Sequence, residues 1–171
     1  MQFKSNITVI GGGMSGVCAA ISAARHGSTV AFVQDRPVLG GNASSEVRMH
    51  IVGATRHGKR KNLRETGIIE EILLENKFRN PEHSYGLFDT LLWEKVEKEK
   101  NITLFLNTYV RDVKTENGRI LSVIGNQNTT EKEIEFLSEI YIDCTGDGSV
   151  SAKAGAEFML GREAKNNFNE P

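Results

Sequence analysis

The chain from residue 7 to residue 16 reads ITVIGGGMSG and carries the pattern of a strand that turns into a helix. The apolar, β-branched run at residues 7–10 has no charge, as expected for a strand buried on both faces of a parallel sheet. Apolar residues at helical spacing then predict a helix over residues 15–26, which ends at Gly27. A second strand at residues 29–33 completes a strand, helix and strand unit of about 30 residues.

The glycines of this turn follow the spacing Gly11-x-Gly13-x-x-Gly16. After a strand and before a helix, this spacing indicates dinucleotide binding: the first glycine allows a tight turn, the second lets a pyrophosphate approach the backbone, and the third lets the helix pack on the strand. The N–H groups of the helix N-terminus then face the anion. A purely structural glycine turn is the alternative. The predicted contacts at this turn are Gly11, Gly13, Met14, Ser15 and Gly16, and Gly12 is interpreted as a spacer.

Three polar residues, Gln34, Asp35 and Arg36, follow the second strand, where an acidic residue that binds a ribose is expected about 20 residues beyond the glycines. The strand alignment puts Gln34 at the tip. Its amide can accept one hydrogen bond from a ribose hydroxyl and donate another, without the charge-assisted strength of a carboxylate. Two alternatives stay open: Asp35 caps a turn before Pro37, or Arg36 binds the 2′-phosphate of NADP.

A second glycine-rich turn, LGGNASS at residues 39–45, lies a few residues beyond the ribose position. A nicotinamide cofactor does not need this turn, whereas FAD is longer and exposes its pyrophosphate and ribityl chain to another loop. The turn therefore favours a flavin, with a flexible surface loop as the alternative.

A third turn, DCTGDG at residues 143–148, follows an apolar strand predicted at residues 139–143. Its glycines permit a close approach between the backbone and a ligand. The structural alternative is an ordinary strand-to-helix turn in which Asp147 caps a helix that begins near Val150.

Periodicity predicts the remaining elements. Apolar residues at helical spacing indicate helices over residues 67–78 and 87–100. The preceding residues 36–63 are predicted to be mostly loop, in which the segment 46–52 is compatible with a helix or a strand. From residue 102 onward the period changes to two, which predicts a strand at residues 102–106.

The turn Asn117-Gly118 joins strands predicted at residues 109–115 and 119–125 as a hairpin, and a third strand at 133–137 completes a meander. The predicted fold class is therefore α/β: a Rossmann-like FAD/NAD(P)-binding domain with a central parallel sheet, crossover helices and a three-stranded β-meander.

The composition is typical of one soluble globular domain: 171 residues, 21 Lys and Arg against 22 Asp and Glu, and 39% hydrophobic residues. A net charge of −1 gives no long-range field for nucleic acid or an anionic membrane, so we expect neither as a partner. No stretch approaches the roughly 18 apolar residues of a membrane span. The start of the chain does not resemble a secretory signal, which predicts a cytoplasmic protein. Cys18 and Cys144 form no Cys-x-x-Cys pair, and no metal site is expected.

The order of these motifs resembles that of the FAD-dependent oxidoreductases of the glutathione-reductase-like flavoprotein superfamily. In that superfamily a dinucleotide-binding unit, a meander and a Thr-Gly turn build one FAD-binding domain. A bacterial subgroup of the family is similar over nearly the whole chain. The segments that carry this narrower resemblance are QDRPVLGGNASSEVR at 34–48, RNP at 79–81, FDT at 88–90, GNQNT at 125–129 and AGAEF at 154–158.

The resemblance implies how FAD is held. The three motif glycines would hold the FAD pyrophosphate, and Gln34 with Asp35 or Arg36 would hold the adenosine ribose. Position 34 departs from the superfamily, where a glutamate is usual at the ribose contact.

The resemblance also implies contacts along the rest of the cofactor. Gly41 and Asn42 would lie along the ribityl and pyrophosphate groups, and Val110 would meet the adenine through its backbone. The turn Thr145-Gly146-Asp147 would contact the central portion of FAD.

Candidate catalytic residues are Arg48 and His50, which follow the second glycine-rich turn, where family members bring protein groups near the flavin ring. His50 is a candidate general base or covalent flavin anchor, and a structural histidine is the alternative. A basic cluster between residues 56 and 64 is a candidate site for an acidic substrate or phosphate, with a solvated loop as the alternative.

The sequence thus predicts an FAD-dependent oxidoreductase that performs two-electron chemistry on a small-molecule substrate, which the resemblance suggests is derived from a carbohydrate. Two alternatives stay open: an NADP-dependent dehydrogenase domain that uses Arg36, and a non-catalytic nucleotide- or RNA-binding module prompted by the basic cluster. We also expect residues 1–171 to be the N-terminal FAD-binding portion of a longer enzyme, inactive alone, because the family's fold needs a later completing segment and a substrate domain. The sequence indicates no oligomeric state.

Overall fold

Two four-stranded sheets and a layer of helices build the fold. The computed structural model describes residues 1–53, 63, 65–128 and 130–168. Within these residues the strands are β1 (Gln2–Lys4), β2 (Ile7–Ile10), β3 (Val30–Val33), β4 (Ile102–Phe105), β5 (Thr108–Glu116), β6 (Arg119–Gln127), β7 (Lys132–Leu137) and β8 (Ile140–Asp143). The helices are α1 (Met14–Arg25), α2 (Ile68–Arg79), α3 (Tyr85–Glu97), α4 (Ser149–Lys153) and α5 (Lys165–Phe168).

The first sheet is parallel throughout, in the order β4-β3-β2-β8. Helix α1 connects β2 to its neighbour β3, which confirms the predicted strand, helix and strand unit. Side chains alternate between the two faces of a strand. Val9 and Phe32 therefore face the helices, whereas Ile10 and Val33 face the second sheet.

Helices α1, α2 and α3 cover one face of the parallel sheet. Their buried side chains Ile21, Ile72 and Leu92 pack with Val9 and Phe32 in one apolar cluster. All three helices were predicted, with boundaries that differ by one to three residues. Helix α3 begins two residues earlier than predicted, where the Ser84 hydroxyl accepts a hydrogen bond from the helix backbone.

The predicted meander is confirmed and gains a fourth strand. Strands β5, β6 and β7 are antiparallel in succession, and β1 pairs in parallel with β7. The sequence did not predict β1, because Gln2 and Lys4 flank a single apolar residue, Phe3. The Phe3 ring contacts those of Phe105 and Phe136 edge-on, at centroid distances of 4.9 and 6.4 Å. These contacts fix the meander sheet to the parallel sheet.

The segment 46–52 forms neither a helix nor a strand. Arg48 has a φ of 63°, a conformation that interrupts both regular structures. The backbone N–H of Arg48 donates to the carbonyl of Ser44, and that of Met49 donates to the carbonyl of Asn42, each at 2.8 Å. The segment is therefore bound to the second glycine-rich turn.

Ion pairs join α1, α2 and α3 on the outer surface. The Arg25 guanidinium contacts Glu71 at 2.8 Å and Glu99 at 2.7 Å, and the Lys95 ammonium contacts Glu71 at 2.6 Å. Hydrogen bonds from Arg25 and then from Lys95 lower the pKa of Glu71 from its usual 4.5 to about 2. The folded state thus favours the ionised carboxylate. This stabilisation is present above the unfolded pKa and is lost as the pH falls from about 4.5 toward 2.

Replacing Glu71 with Gln should lower the free energy of unfolding by about 1 kcal/mol at pH 7, a modest value because solvent screens a half-exposed ion pair. Between pH 5 and pH 2 the free energy of unfolding of the variant should also fall less steeply than that of the wild-type chain. Urea unfolding followed by circular dichroism at several pH values measures both effects. Glu97→Gln, the same change at an exposed position of α3, is the control, and an equal effect there would contradict the assignment.

Candidate functional site

The carboxyl ends of β2, β3 and β8 meet at one edge of the parallel sheet, where α/β folds place their ligand sites. A cavity of about 770 Å³ lies at this edge. Its volume falls within the roughly 300–1,000 Å³ of small-molecule and cofactor sites. The first glycine turn, the residues after β3, the second glycine-rich turn, the start of β5 and the turn after β8 all contribute to its wall.

The N-terminus of α1 opens onto this cavity without a cap. Gly13 is the N-cap residue, no side chain caps the helix start, and the first turn of α1 carries no acidic residue. The free N–H groups and the partial positive charge of a helix N-terminus attract anions. A Cβ placed on Gly13 would meet no atom within 4 Å, so the space in front of these N–H groups is open.

Two other glycines of the motif serve close packing. A Cβ on Gly16 would lie 1.8 Å from the carbonyl oxygen of Gly11, and a Cβ on Gly11 would lie 2.2 Å from that of Cys144. Gly16 thus lets α1 approach the strand, as predicted. It lies behind the described cavity wall, and its contact with a pyrophosphate stays a prediction.

The two glycine-rich turns are bonded to each other. The N–H of Gly40 donates to the carbonyl of Gly12 at 2.8 Å, and Gly13 and Gly40 form an isolated parallel bridge. A Cβ on Gly41 would lie 3.0 Å from the Cα of Gly13. The second turn is therefore a fixed wall of the cavity and not a free surface loop.

Gly12 was interpreted as a spacer, and this was wrong. A Cβ at this position would lie 2.7 Å from the side-chain Cδ of Gln34 and 2.8 Å from a methyl carbon of Leu39. A side chain at position 12 would therefore displace the buried side chains of Gln34 and Leu39.

The three polar residues after β3 lie on the cavity wall but differ in their surroundings. Gln34 is buried and bonded on both sides: its Oε1 accepts from the Gly12 N–H at 2.7 Å, and its Nε2 donates to the Val38 carbonyl at 3.0 Å. Asp35 is exposed. Arg36 donates from its Nε to Glu46 at 2.9 Å, so part of its charge is already paired within the chain.

Asp143, and not Asp147, organises the turn after β8. One oxygen of Asp143 accepts from the N–H and hydroxyl of Thr145 at 3.0 and 2.7 Å. The other accepts from the N–H and hydroxyl of Ser151 at 2.7 and 2.8 Å. Burial raises the pKa of Asp143, but these hydrogen bonds outweigh it and hold the pKa below its usual range. The alternative in which Asp147 caps the following helix is wrong. The N-cap of α4 is Gly148, and Asp147 lies exposed on the cavity wall.

A smaller cavity of about 180 Å³ adjoins the first. The two share Ala43 and the segment 49–51, which includes His50. His83 and Tyr85 line the smaller cavity from the opposite side. Arg48 is absent from the described walls of both cavities, and its Nε donates to the carbonyl of Ser45 at 3.0 Å.

Most predicted site residues come together at the larger cavity. Those on its wall are Gly11, Gly13, Met14, Ser15, Gln34, Asp35, Arg36, Gly41, Asn42, His50, Val110, Thr145, Gly146 and Asp147. Their contacts with a cofactor stay predictions. The predicted contacts did not include the wall residues Ile10, Gly12, Val33, Gly40, Ala43, Met49, Ile51, Val52, Thr108, Tyr109, Cys144 and Ser149, although Gly40, Ala43 and Cys144 lie within the predicted cofactor turns. Thr108 and Tyr109 could have been found from their position next to Val110, whereas Met49, Ile51 and Val52 carry no sequence signal of their own. The basic cluster, formed by Arg56, His57, Lys59, Arg60, Lys61 and Arg64, lies outside the described residues.

The described residues lack two kinds of feature. They contain no group of three or more His, Cys, Asp or Glu side chains that could hold a metal ion. Among the helices of this same part of the chain, none has the length and apolar character needed to cross a membrane.

A family model described as FAD-dependent oxidoreductase matches residues 6–171. The chain belongs to this family. Membership confirms the resemblance seen in the sequence and indicates FAD as the cofactor, while the bacterial subgroup stays a prediction. No curated protein matches the chain by sequence.

Solved structures with the same fold support the assignment of the fold class. A geranylgeranyl bacteriochlorophyll reductase-like protein of Thermoplasma acidophilum is 16% identical, with a TM-score of 0.62 over 94% of this chain and 44% of that protein. THI4 of Thermovibrio ammonificans is 22% identical, with a TM-score of 0.62 over 98% of this chain and 64% of THI4. The myxobacterial chondrochloren halogenase CndH, described as a variant of FAD-dependent halogenases, is 20% identical, with a TM-score of 0.55 over 84% of this chain and 38% of CndH. The family member described here therefore spans less than two thirds of these three proteins.

The Asp143 turn gives a prediction about stability. Asp143→Asn should lower the free energy of unfolding by about 2 kcal/mol at pH 7, because hydrogen bonds to a charged, half-buried acceptor are lost. The ionised carboxylate stabilises the fold above the unfolded pKa, and this contribution disappears as the pH falls through the lowered folded pKa. The difference between the two proteins should therefore shrink below pH 4. Urea unfolding at pH 7 and pH 3 measures it, with the exposed Asp147→Asn as the control, and a constant difference would contradict the assignment.

Proposed function

We propose that this chain binds FAD in the larger cavity as part of an enzyme that oxidises or reduces a small molecule by two electrons. The observation that carries the proposal is the uncapped N-terminus of α1 facing the cavity, next to a second glycine-rich turn bonded to the first. The pyrophosphate would bind to these N–H groups. The part of FAD that extends beyond the pyrophosphate would lie along the backbone of the second glycine-rich turn.

Each part of the cavity has a proposed contact with FAD. The backbone N–H groups at Gly13, Met14 and Ser15 would bind the pyrophosphate, because no side chain occupies the space before them. Gly41 and Asn42 would border the ribityl chain. The exposed Asp35 is available to a ribose hydroxyl, whereas Gln34 already has two partners within the chain.

The adenine end and the central portion of FAD have separate walls. Val110 lies on the cavity wall, next to a register shift of the hairpin between Val110 and Asp112, and its backbone would meet the adenine there. The turn Thr145-Gly146-Asp147, held from behind by Asp143, would contact the central portion. When bound, the flavin supplies the two-electron chemistry, and the protein positions it.

The smaller cavity is the proposed place for the substrate. Its described lining side chains are uncharged or are imidazoles, among them Asn76, His83 and Tyr85, which suits a small, neutral molecule with hydroxyl groups, such as one derived from a carbohydrate. His50 lies on the wall between the two cavities, where its imidazole could move a proton to or from a substrate. Arg48 has no comparable support, because its guanidinium is bonded to the backbone of Ser45.

An NADP-dependent dehydrogenase receives less support. The guanidinium of Arg36, which would bind the 2′-phosphate, is paired with Glu46, and the second glycine-rich turn would have no function. An RNA-binding module would depend on the basic cluster, which lies outside the described residues, and no contact among the described residues supports this function. A cytoplasmic location and a longer whole enzyme with a substrate domain stay predictions.

Gly13→Ala tests the proposed pyrophosphate contact. The added methyl group meets no protein atom within 4 Å, so the variant should fold with the stability of the wild type. It should bind FAD at least about tenfold more weakly, because the methyl group occupies the space of the anion and a loss of tenfold corresponds to about 1.4 kcal/mol. Titration of FAD into the apoprotein, followed by flavin fluorescence, measures the affinity.

The matched control is Gly86→Ala, which adds a methyl group to an exposed position of α3 outside both described cavities. Unchanged FAD affinity in Gly13→Ala, or wild-type protein that cannot be loaded with FAD, would refute the proposed site. Bleaching of the flavin bound to the full-length enzyme by individual polyols, sugars and sugar acids then tests the substrate class.

A further inference from the structure

The side chain of Gln34 is 4% exposed and connects the two glycine-rich turns. Its Oε1 accepts a hydrogen bond from the N–H of Gly12, in the first turn, at 2.7 Å. Its Nε2 donates to the carbonyl of Val38, directly before the second turn, at 3.0 Å. One side chain therefore bonds to both turns at once.

A neutral side chain that both accepts and donates, such as the Gln34 amide, satisfies both partners. The Gly12 N–H is a donor and the Val38 carbonyl is an acceptor, so the side chain between them must accept on one side and donate on the other. An ionised carboxylate can only accept. In this buried place it would face the Val38 carbonyl oxygen without a proton between them, which is costly for a desolvated charge.

The surrounding backbone makes this connection rigid. The N–H of Gln34 donates to Phe105, and its carbonyl accepts from Thr108, at 2.9 and 2.8 Å, so the residue is fixed at the end of β3. Gly12 uses both of its backbone groups, because its carbonyl accepts from Gly40 at 2.8 Å. Gly12 is therefore bonded through its N–H to the Gln34 amide and through its carbonyl to the Gly40 N–H. Both bonds hold the second glycine-rich turn against this one residue.

We propose that Gln34 is a positioning residue that sets the separation of the two glycine-rich turns, and that this position requires a neutral side chain that both accepts and donates a hydrogen bond. This role differs from the binding of a ribose hydroxyl that the family resemblance implies. It rests on the proposed function only in its effect on FAD, because the connection itself exists within the protein.

Gln34→Glu separates the two roles by the sign of its effect. At pH 8 the introduced carboxylate cannot donate to Val38, so FAD should bind about tenfold more weakly than to the wild type. Near pH 5 the protonated carboxyl group can donate again, since burial raises its pKa, and the affinity should return to within about twofold of the wild type. A residue that binds a ribose hydroxyl gives the opposite result: the carboxylate would tighten FAD binding at pH 8, and protonation would weaken it.

Gln34→Met is the matched variant without charge. It has a similar length and loses both hydrogen bonds, so its FAD affinity should be lowered about tenfold at pH 8 and at pH 5 alike. A tighter or unchanged FAD affinity in Gln34→Glu at pH 8 would overturn the positioning role, as would a pH-independent loss of affinity in that variant.

Hydrogen exchange of the apoprotein tests the connection without FAD. In the wild-type chain one side-chain amide proton of Gln34 should exchange slowly, because it is buried and bonded to Val38. Both substitutions should lower the protection of the Gly40 N–H at pH 8, and Gln34→Glu should regain it near pH 5. Rapid exchange of the Gln34 amide in the wild type would overturn the proposal even if neither variant folds. Failure of the wild type to bind FAD, with these exchange results intact, would refute only the proposed function.

Discussion

The close contact between Gly16 and the carbonyl oxygen of Gly11 is the constraint on which the site depends. Because position 16 has no side chain, α1 packs closely against the turn after β2 and directs its first N–H groups into the space beyond the sheet edge. Any side chain there would push the helix away from the strand. The anion-binding geometry is thus a consequence of close packing behind the cavity, and the residues that face the cavity do not create it.

The same principle extends to the second glycine-rich turn. Its position depends on contacts with the first turn, through the Gly13 and Gly40 bridge and the buried amide of Gln34. On its other side, Asp89 of α3 accepts a hydrogen bond from the Ser45 N–H at 3.0 Å. The cavity wall is therefore supported by both the sheet and the helical layer, although most of its residues belong to loops.

The sequence predicted the parts of the fold that depend on local periodicity and on turn chemistry. The strand, helix and strand unit, both later helices and the meander all follow from spacing within about 15 residues. Strand β1 could not be predicted this way, because its stability comes from pairing with β7, 130 residues later, and from the contacts of Phe3. The roles of Gly12, Gln34 and Asp143 could not be predicted either, because each depends on partners elsewhere in the chain. A glycine appears as a spacer, and an aspartate as a turn residue, until its partners across the fold are known.

The two ends of α1 have different tasks. A helix of 12 residues is about 18 Å long, and its C-terminal Arg25 carries the ion pairs with Glu71 and Glu99, at the end where a cation is also favoured by the helix dipole. The N-terminal end has no cap, although a capping side chain would stabilise the helix by about 1 kcal/mol. Such a side chain would fill the space that the proposed pyrophosphate needs. Stability is therefore supplied at the end of the helix that is remote from the cavity. On the proposed function, the bound anion itself completes the helix start, so that cofactor binding and the stability of α1 are thermodynamically linked.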